Sequence, residues 1–377
     1  MYRSDLESVR IVDSLLSVDP AEWNALAGEQ PFLRHEFLSA LIETGCASAK
    51  SGWLPQIVLL RRAGALVGAL PLFAKSHSYG EYVFDWAWAD AHERNGIEYY
   101  PKLVCAVPFT PVRGSRILAC AAADRKALVQ AALQAARELS SLHVLFAREE
   151  DADLLAEAGF LMRHTVQFHW KNEGYADFED FLSRMSHQRR KNIRQERRRV
   201  AEAGVSFRWL EGPAIERRHW EFFNRCYRGT YAAHRSTPYL SLEFFVRLGA
   251  LLPANVAMVL AERDARPIAC ALFLRDASAI YGRYWGAVEH VPLLHFECCY
   301  YQAIEYAISR KLQTFEGGAQ GEHKLFRGLM PVEAQSAHWL AHPKFARAVE
   351  HFLERERAGI THYVNELAEH SPFKEAP

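Results

Sequence analysis

Laid over itself at one constant offset and without a gap, the chain places Phe146, Gly159, His169 and Trp170 on Phe315, Gly328, His338 and Trp339. The order of elements read from the hydrophobic pattern repeats with it, the mark of an internal duplication. In the first half a helical start is read over 9–26, with Asp19-Pro20 as its entry, and a second helix over 32–41. Apolar runs at 56–60 and 66–74 flank Arg61-Arg62-Ala63-Gly64 as a hairpin. A strand at 103–107, a helix over 125–139, a strand at 143–146, a helix over 151–158 and a strand at 165–170 follow. The second half has a long helix over 178–200, helices over 220–230 and 242–252, and a hairpin of 256–262 with 268–274. It continues with a strand at 280–285, a helix over 298–309, strands at 314–315 and 335–340, and a terminal helix over 345–357. Strands alternating with helices predict α/β (α+β) layers. The polar stretch Lys171-Asn172-Glu173-Gly174 is the expected joint, giving domains at 1–174 and 175–377.

Composition narrows the function classes. At 50% hydrophobic and 24% charged residues, the 377-residue chain is neither disordered nor collagen-like. Lys plus Arg equals Asp plus Glu, 45 against 45, so any polyanion site must be local and double-stranded DNA is not expected as a partner. Seven cysteines without a CxxC fit a reducing compartment and supply no metal-ligand spacing. The N-terminus has no basic head before an apolar run, and the longest uncharged apolar stretch, 63–74, is far short of the roughly 20 residues that span a bilayer. A cytoplasmic protein without a membrane span or metal is expected.

Three segments carry a family resemblance. The run Arg189-Arg190-Lys191-Asn192-Ile193-Arg194 opens a charged helix that ends at Ala203-Gly204-Val205. Phe315-Glu316-Gly317-Gly318 sets an acid before two glycines at a strand end. His323-Lys324-Leu325-Phe326-Arg327-Gly328 follows, with His323 where the family pattern has Phe. Together with the doubled element order, these resemble the FemAB-like branch of the GNAT acyltransferase superfamily, and with the first-half runs Tyr99-Tyr100-Pro101-Lys102-Leu103 and Pro108-Phe109-Thr110-Pro111-Val112-Arg113-Gly114 the chain looks like the subgroup associated with peptidoglycan biosynthesis or recognition. The resemblance implies tandem GNAT-like acyltransferase domains, each a mixed, mostly antiparallel sheet flanked by helices. It implies an enzyme, an N-acyltransferase moving an aminoacyl or acyl group onto an amine of a peptidoglycan-related or other amino-acid-containing acceptor. No permanently bound cofactor is implied; acyl-CoA or aminoacyl-tRNA would be the donor substrate. Two alternatives stand beside it: an acyl-CoA-dependent N-acetyltransferase, and a catalytically degenerate recognition module for cell-wall fragments or RNA.

The residues themselves suggest the chemistry. Residues 186–199 hold Arg189, Arg190, Lys191, Arg194, Arg197, Arg198 and Arg199 against the single acid Glu196. Such a stripe suits a phosphate-bearing small molecule or a tRNA acceptor end, with a solvated helix face as the alternative. Amide formation needs a neutral amine, a site for the developing oxyanion and a proton for the leaving group. Glu316 is the candidate base, Lys324 the anion stabiliser, and His323 and Tyr284 the candidate proton shuttle and donor. Gly317 and Gly318 would let substrate approach the backbone. Each has a structural alternative: a turn, a surface lysine, or core packing. Arg113, Gly114, Ser115 and Arg116 in the first half are the candidate pyrophosphate loop for acyl-CoA, with an ordinary turn as the alternative. The corresponding second-half stretch, Glu289-His290-Val291-Pro292-Leu293-Leu294, lacks glycine and carries a repelling acid.

Overall fold

The computed structural model describes residues 7–319 and 321–374, which gather into two compact units. The first contains Met1–Thr165 with Glu333–Thr361, and the second Val166–Val332 with His362–Pro377.

The first unit has an antiparallel sheet in the order Glu7–Val12, Ile57–Arg62, Ala65–Leu70, Leu118–Ala119. Its hairpin turn at Ala63 and Gly64 has φ of 50° and 88°, the left-handed pair that suits the twist of two-residue hairpins. A second set of strands runs from residues 335–340 through Ser141–Ala147, Lys102–Cys105 and Leu72–Lys75 to Trp53–Pro55. Only the contact between Lys102–Cys105 and Ser141–Ala147 is parallel. The helix Pro20–Ala27 starts where expected, with Asp19 accepting from the Ala21 amide. Residues 9–12, read as part of a helical start, are instead strand, because Val9 and Ile11 alternate in register with Leu60 and Val58. Val58, Leu70, Leu103, Leu128, Leu142 and Ala337 share one core.

The second unit orders its strands Ser206–Glu211, Val256–Arg263, Arg266–Arg275, Ala279–Ala287, Thr314–Ala319 and then residues 167–171. All neighbours are antiparallel except Ala279–Ala287 with Thr314–Ala319. The mixed sheets flanked by helices match the expected fold class.

The helix expected over 178–200 is two helices, Phe178–Arg184 and His187–Glu202. Between them Met185 is extended and fully buried, bridging Phe373, and the Ser186 amide donates to the Pro372 carbonyl. Pairing with the chain's far end overrides a pattern that contains no helix breaker. The helix expected over 298–309 starts earlier. It runs from an α-turn at Leu294–Phe296 through a π-turn at Glu297–Tyr301 into Gln302–Ser309.

The duplication has a structural counterpart. Leu161–Lys171 and Met330–Leu340 are both eleven-residue strands, and His169-Trp170 and His338-Trp339 occupy the same positions in them. Residues 335–340 flank Ser141–Ala147 in the first unit, and residues 167–171 flank Thr314–Ala319 in the second. The last strand of each copy thus serves the unit built mainly from the other.

Candidate active site

Within the second unit, Glu316 sits on Thr314–Ala319 with Tyr281 and His169 as its strand partners. Its side chain is 15% exposed, and Oε2 lies 3.9 Å from His169 Nε2. His169 Nε2 is also 3.2 Å from Gln167 Oε1. A carboxylate reachable from solvent and backed by an imidazole can accept and pass on a proton. Gly317 is required by close approach: a β-carbon there would run into Leu329 and come within 3.2 Å of the Phe168 carbonyl. Gly317→Ala is therefore expected to destabilise the second unit by about 1–3 kcal/mol, read as a shift in the urea unfolding midpoint. Gly318 has φ of 78° and open space beside it.

The backbone then turns into the 3-10 segment Glu322–Arg327, which returns Lys324 beneath the glycines. Lys324 is buried, and Nζ donates to the Gly318 carbonyl at 3.3 Å. Burial pushes its ammonium down to about 8. His323 is half-buried, with Nε2 3.0 Å from the Tyr300 hydroxyl. Burial, with Lys324 and Arg327 close by, lowers its basicity. Burial beside the same cations and His323 takes His295 down to about 4. Tyr300 lies on the π-turn, a rare geometry that recurs at functional sites. The structure thus brings together Glu316, Gly317, Gly318, His323 and Lys324 on one strand and the turn after it. Tyr300 was missed, because the π-turn that presents it leaves no mark in the hydrophobic period.

The basic helix His187–Glu202 is fastened to this turn. Arg327 donates to both Glu196 oxygens at 2.9 and 2.8 Å, and Tyr301 donates to the same carboxylate. The Arg189 guanidinium lies 3.9 Å from the centre of the exposed Phe326 ring. Glu196, the lone acid in the basic stretch, is therefore a brace. Arg194 pairs with Glu179, Arg197 with Glu297 and Glu305, and Arg198 with Glu202. Among the described residues, Arg189, Arg190, Lys191 and Arg199 have no carboxylate partner within salt-bridge distance. A hollow of about 480 Å³ runs along the helix, lined by His187, Arg190, Lys191, Arg194, Gln195 and Arg198.

Two sets of expected residues lie elsewhere. Tyr284 is built into an aromatic cluster with Tyr227 and Phe245, ring centres 5.1 and 5.9 Å away. In the first unit, the donors of Gly114 and Arg116 are held by the fold. The Gly114 amide donates to the Phe146 carbonyl, and the Arg116 amide to Asp151. The fully buried Arg116 guanidinium donates to the carbonyls of Leu145, Ser115 and Val112. These bonds hold the Gly114 and Arg116 donors within the fold, whereas Arg113 Nε is buried without a hydrogen-bond partner among the described residues.

The first unit also holds a buried ionic network that sequence reasoning passed over. Lys102 Nζ donates to Ser78 Oγ at 2.8 Å, to Glu81 Oε2 at 2.9 Å and to Asp85. The Tyr99 hydroxyl donates to Asp85 Oδ2 at 2.6 Å and lies 3.1 Å from His143 Nε2. His143 Nδ1 is 2.7 Å from His338 Nδ1. Lys75 Nζ is 4.0 Å from Glu81 Oε1. Burial moves Lys75 down and Glu81 up, each to about 7, while Lys102 holds Asp85 well below the carboxylate range against its burial. A lysine inside the apolar run Tyr99-Tyr100-Pro101-Lys102-Leu103 was the available signal.

The family model for FemAB-like proteins, described as peptidoglycan biosynthesis/recognition, matches residues 14–375. None of the curated proteins matches the chain in sequence. Among solved structures, FemX superposes with a TM-score of 0.53 at 12% identity, covering 89% of this chain and 99% of its own. L-PGS from Bacillus licheniformis gives 0.54 at 9%, covering 89% and 97%. The C-terminal domain of a protein assigned as a lysylphosphatidylglycerol synthetase from Agrobacterium fabrum gives 0.54 at 10%, covering 88% and 96%. At these identities the likeness is one of fold.

Proposed function

We propose, from the premise that this chain belongs to the FemAB-like family and is with it a transferase of the acyl or aminoacyl class, that it moves an aminoacyl group from tRNA to the amine of a peptidoglycan-related acceptor. The observation that carries the donor is the basic helix, braced by Glu196 and Arg189 against the turn that bears His323 and Lys324. From His187 to Arg198 its hollow follows about three turns of helix, roughly 16 Å. A line of cations of that length suits a nucleic-acid backbone better than a compact diphosphate.

In this reading the acceptor amine gives its proton to Glu316, and its nitrogen attacks the ester carbonyl. Lys324 stabilises the oxygen anion of the tetrahedral intermediate. The carbon–oxygen bond to the donor then breaks, and the leaving alkoxide oxygen takes a proton delivered by the His323–Tyr300 pair and departs as a hydroxyl. Both imidazoles nearby are pushed towards the neutral form, so His323 can relay a proton without adding fixed charge. The acceptor's class comes from the family alone, and a cytoplasmic site of action follows from it.

Binding of aminoacyl-tRNA measured against salt is the test. Arg190→Ala with Lys191→Ala is expected to weaken binding and flatten the log–log salt slope by about 1.4, roughly 0.7 for each lost contact to a single strand. Saturable binding of acetyl-CoA with none of tRNA would replace this donor by acyl-CoA.

A further inference from the structure

Four large aromatic side chains are exposed among the described residues, and three of them, Tyr79, Phe84 and Trp86, fall within eight residues of the first unit, in a loop and at the first position of the helix Trp86–Arg94 that follows it. The fourth, Phe326, carries the Arg189 guanidinium. The loop's two acids, Glu81 and Asp85, point the other way and are buried on Lys102. Val83 is buried too, so the segment divides cleanly into an anchored inner row and an outer row of rings.

The anchoring is unusually thorough. Lys75 Nζ donates to the Tyr79 carbonyl at 3.1 Å, and Trp53 Nε1 to the same oxygen at 3.3 Å. Arg163 donates to the Phe84 carbonyl at 2.7 Å. Tyr79 meets Trp86 edge to face at 4.9 Å, and the His77 ring stands 5.3 Å from Tyr79. Buried ion pairs add little net stability but fix conformation. Here the conformation they fix is one that holds three apolar rings out in water. A ledge ordered in advance loses little entropy when it is covered.

We propose that this ledge, Tyr79, Phe84 and Trp86, docks the first unit on the surface of a lipid bilayer. The chemistry of its outer row favours that occupant. Tyrosine and tryptophan join an apolar ring to a polar tip, the combination that settles at headgroup depth. No charged side chain of the loop is left outside to be dehydrated, since both carboxylates are turned inward. Lys50 is exposed two residues before Gly52, where an added β-carbon would run into the His77 ring, so the turn next to the His77–Tyr79 ring pair carries a cation that anionic headgroups could meet. Asp90, one helical turn beyond Trp86, is drawn aside by Arg94 at 3.8 Å. Among the described residues no helix is long and apolar enough to cross a membrane, so attachment would be peripheral. The inference is independent of the acyl-transfer reading, because it uses none of the residues assigned to that chemistry.

Co-sedimentation of the full chain with vesicles of phosphatidylcholine, and of phosphatidylcholine mixed with phosphatidylglycerol, tests it. Both are expected to bind the protein, the mixed vesicles more tightly. The variant Tyr79→Ser, Phe84→Ser, Trp86→Ser is expected to lose about a hundredfold in partitioning. Leu251→Ser with Val288→Ser, exposed apolar residues of the second unit, should lose nothing, and unchanged circular dichroism reports that each variant is folded. Absence of vesicle binding overturns the proposal. So does binding that the triple variant retains, which would assign it to the basic helix. Loss of affinity for a soluble peptidoglycan fragment in the triple variant, without vesicle binding by the parent, would make the ledge a saccharide site and also overturn it.

Discussion

Lys102→Met is expected to lower the stability of the first unit by about 3–5 kcal/mol, the usual consequence of removing one partner from a buried ion cluster. Lys102 is the only described side chain that bonds both Glu81 and Asp85 directly, and neither acid can reach water without the loop opening. Thermal unfolding followed by far-UV circular dichroism would show it. Adding Glu81→Gln and Asp85→Asn to Lys102→Met should recover a large part of the loss, since the stranded charges are then gone. A triple variant no more stable than the single one would mean that the cluster is not electrostatically coupled. The network also sets a pH dependence. Glu81, raised by burial from 4.5 to about 7, contributes stability below pH 4.5 that is lost as pH rises to about 7. Lys75, lowered by burial from 10.5 to about 7, contributes stability above pH 10.5 that is lost as pH falls to about 7. The two oppose each other, so the pair should be least favourable near neutrality, and Glu81→Gln should remove the fall on the acid side.

The second large effect is on turnover. Lys324→Met is expected to lower kcat by about a thousandfold, the magnitude typical of losing a preorganised oxyanion partner, with unfolding stability unchanged or raised because a buried ammonium is removed. The pH profile separates this role from a structural one. With the ammonium titrating near 8, activity that depends on its charge should fall as pH rises through that value. Lys324→Arg keeps the charge, so its profile should lose the alkaline limb even where its rate is low. A Lys324→Met enzyme with wild-type kcat would remove Lys324 from the chemistry, and Glu316 would then have to be examined alone by Glu316→Gln.

Much of this arrangement was legible in the sequence because it is local. Asp19-Pro20 announces a helix, Ala63-Gly64 a hairpin, and Glu316-Gly317-Gly318 a strand end that brings backbone close to its neighbours. The basic stripe was visible as composition, and only coordinates could show that Glu196 fastens it to Arg327. What escaped was built from long-range pairing. Met185 leaves its helix to meet Phe373, a partner at the other end of the chain. His143 and His338 touch across 195 positions, and the lysines and acids around them look like ordinary surface charges when read singly. The π-turn at Glu297–Tyr301 escaped for a different reason: one extra residue in a turn leaves the apolar spacing nearly unchanged.

The reciprocal placement of the two eleven-residue strands bears on how such a chain can be divided. A fragment ending at 174 would lack residues 335–340, which flank Ser141–Ala147, and Glu356, which holds Arg163. The complementary fragment would lack residues 167–171 beside Thr314–Ala319. Either piece made alone would present a raw sheet edge and invite aggregation, whereas the two co-expressed could rebuild both units by supplying each other's missing border. An ancestor of half the length would on this view have worked as a pair of identical chains, and gene fusion would have made permanent a partnership the sheets already required.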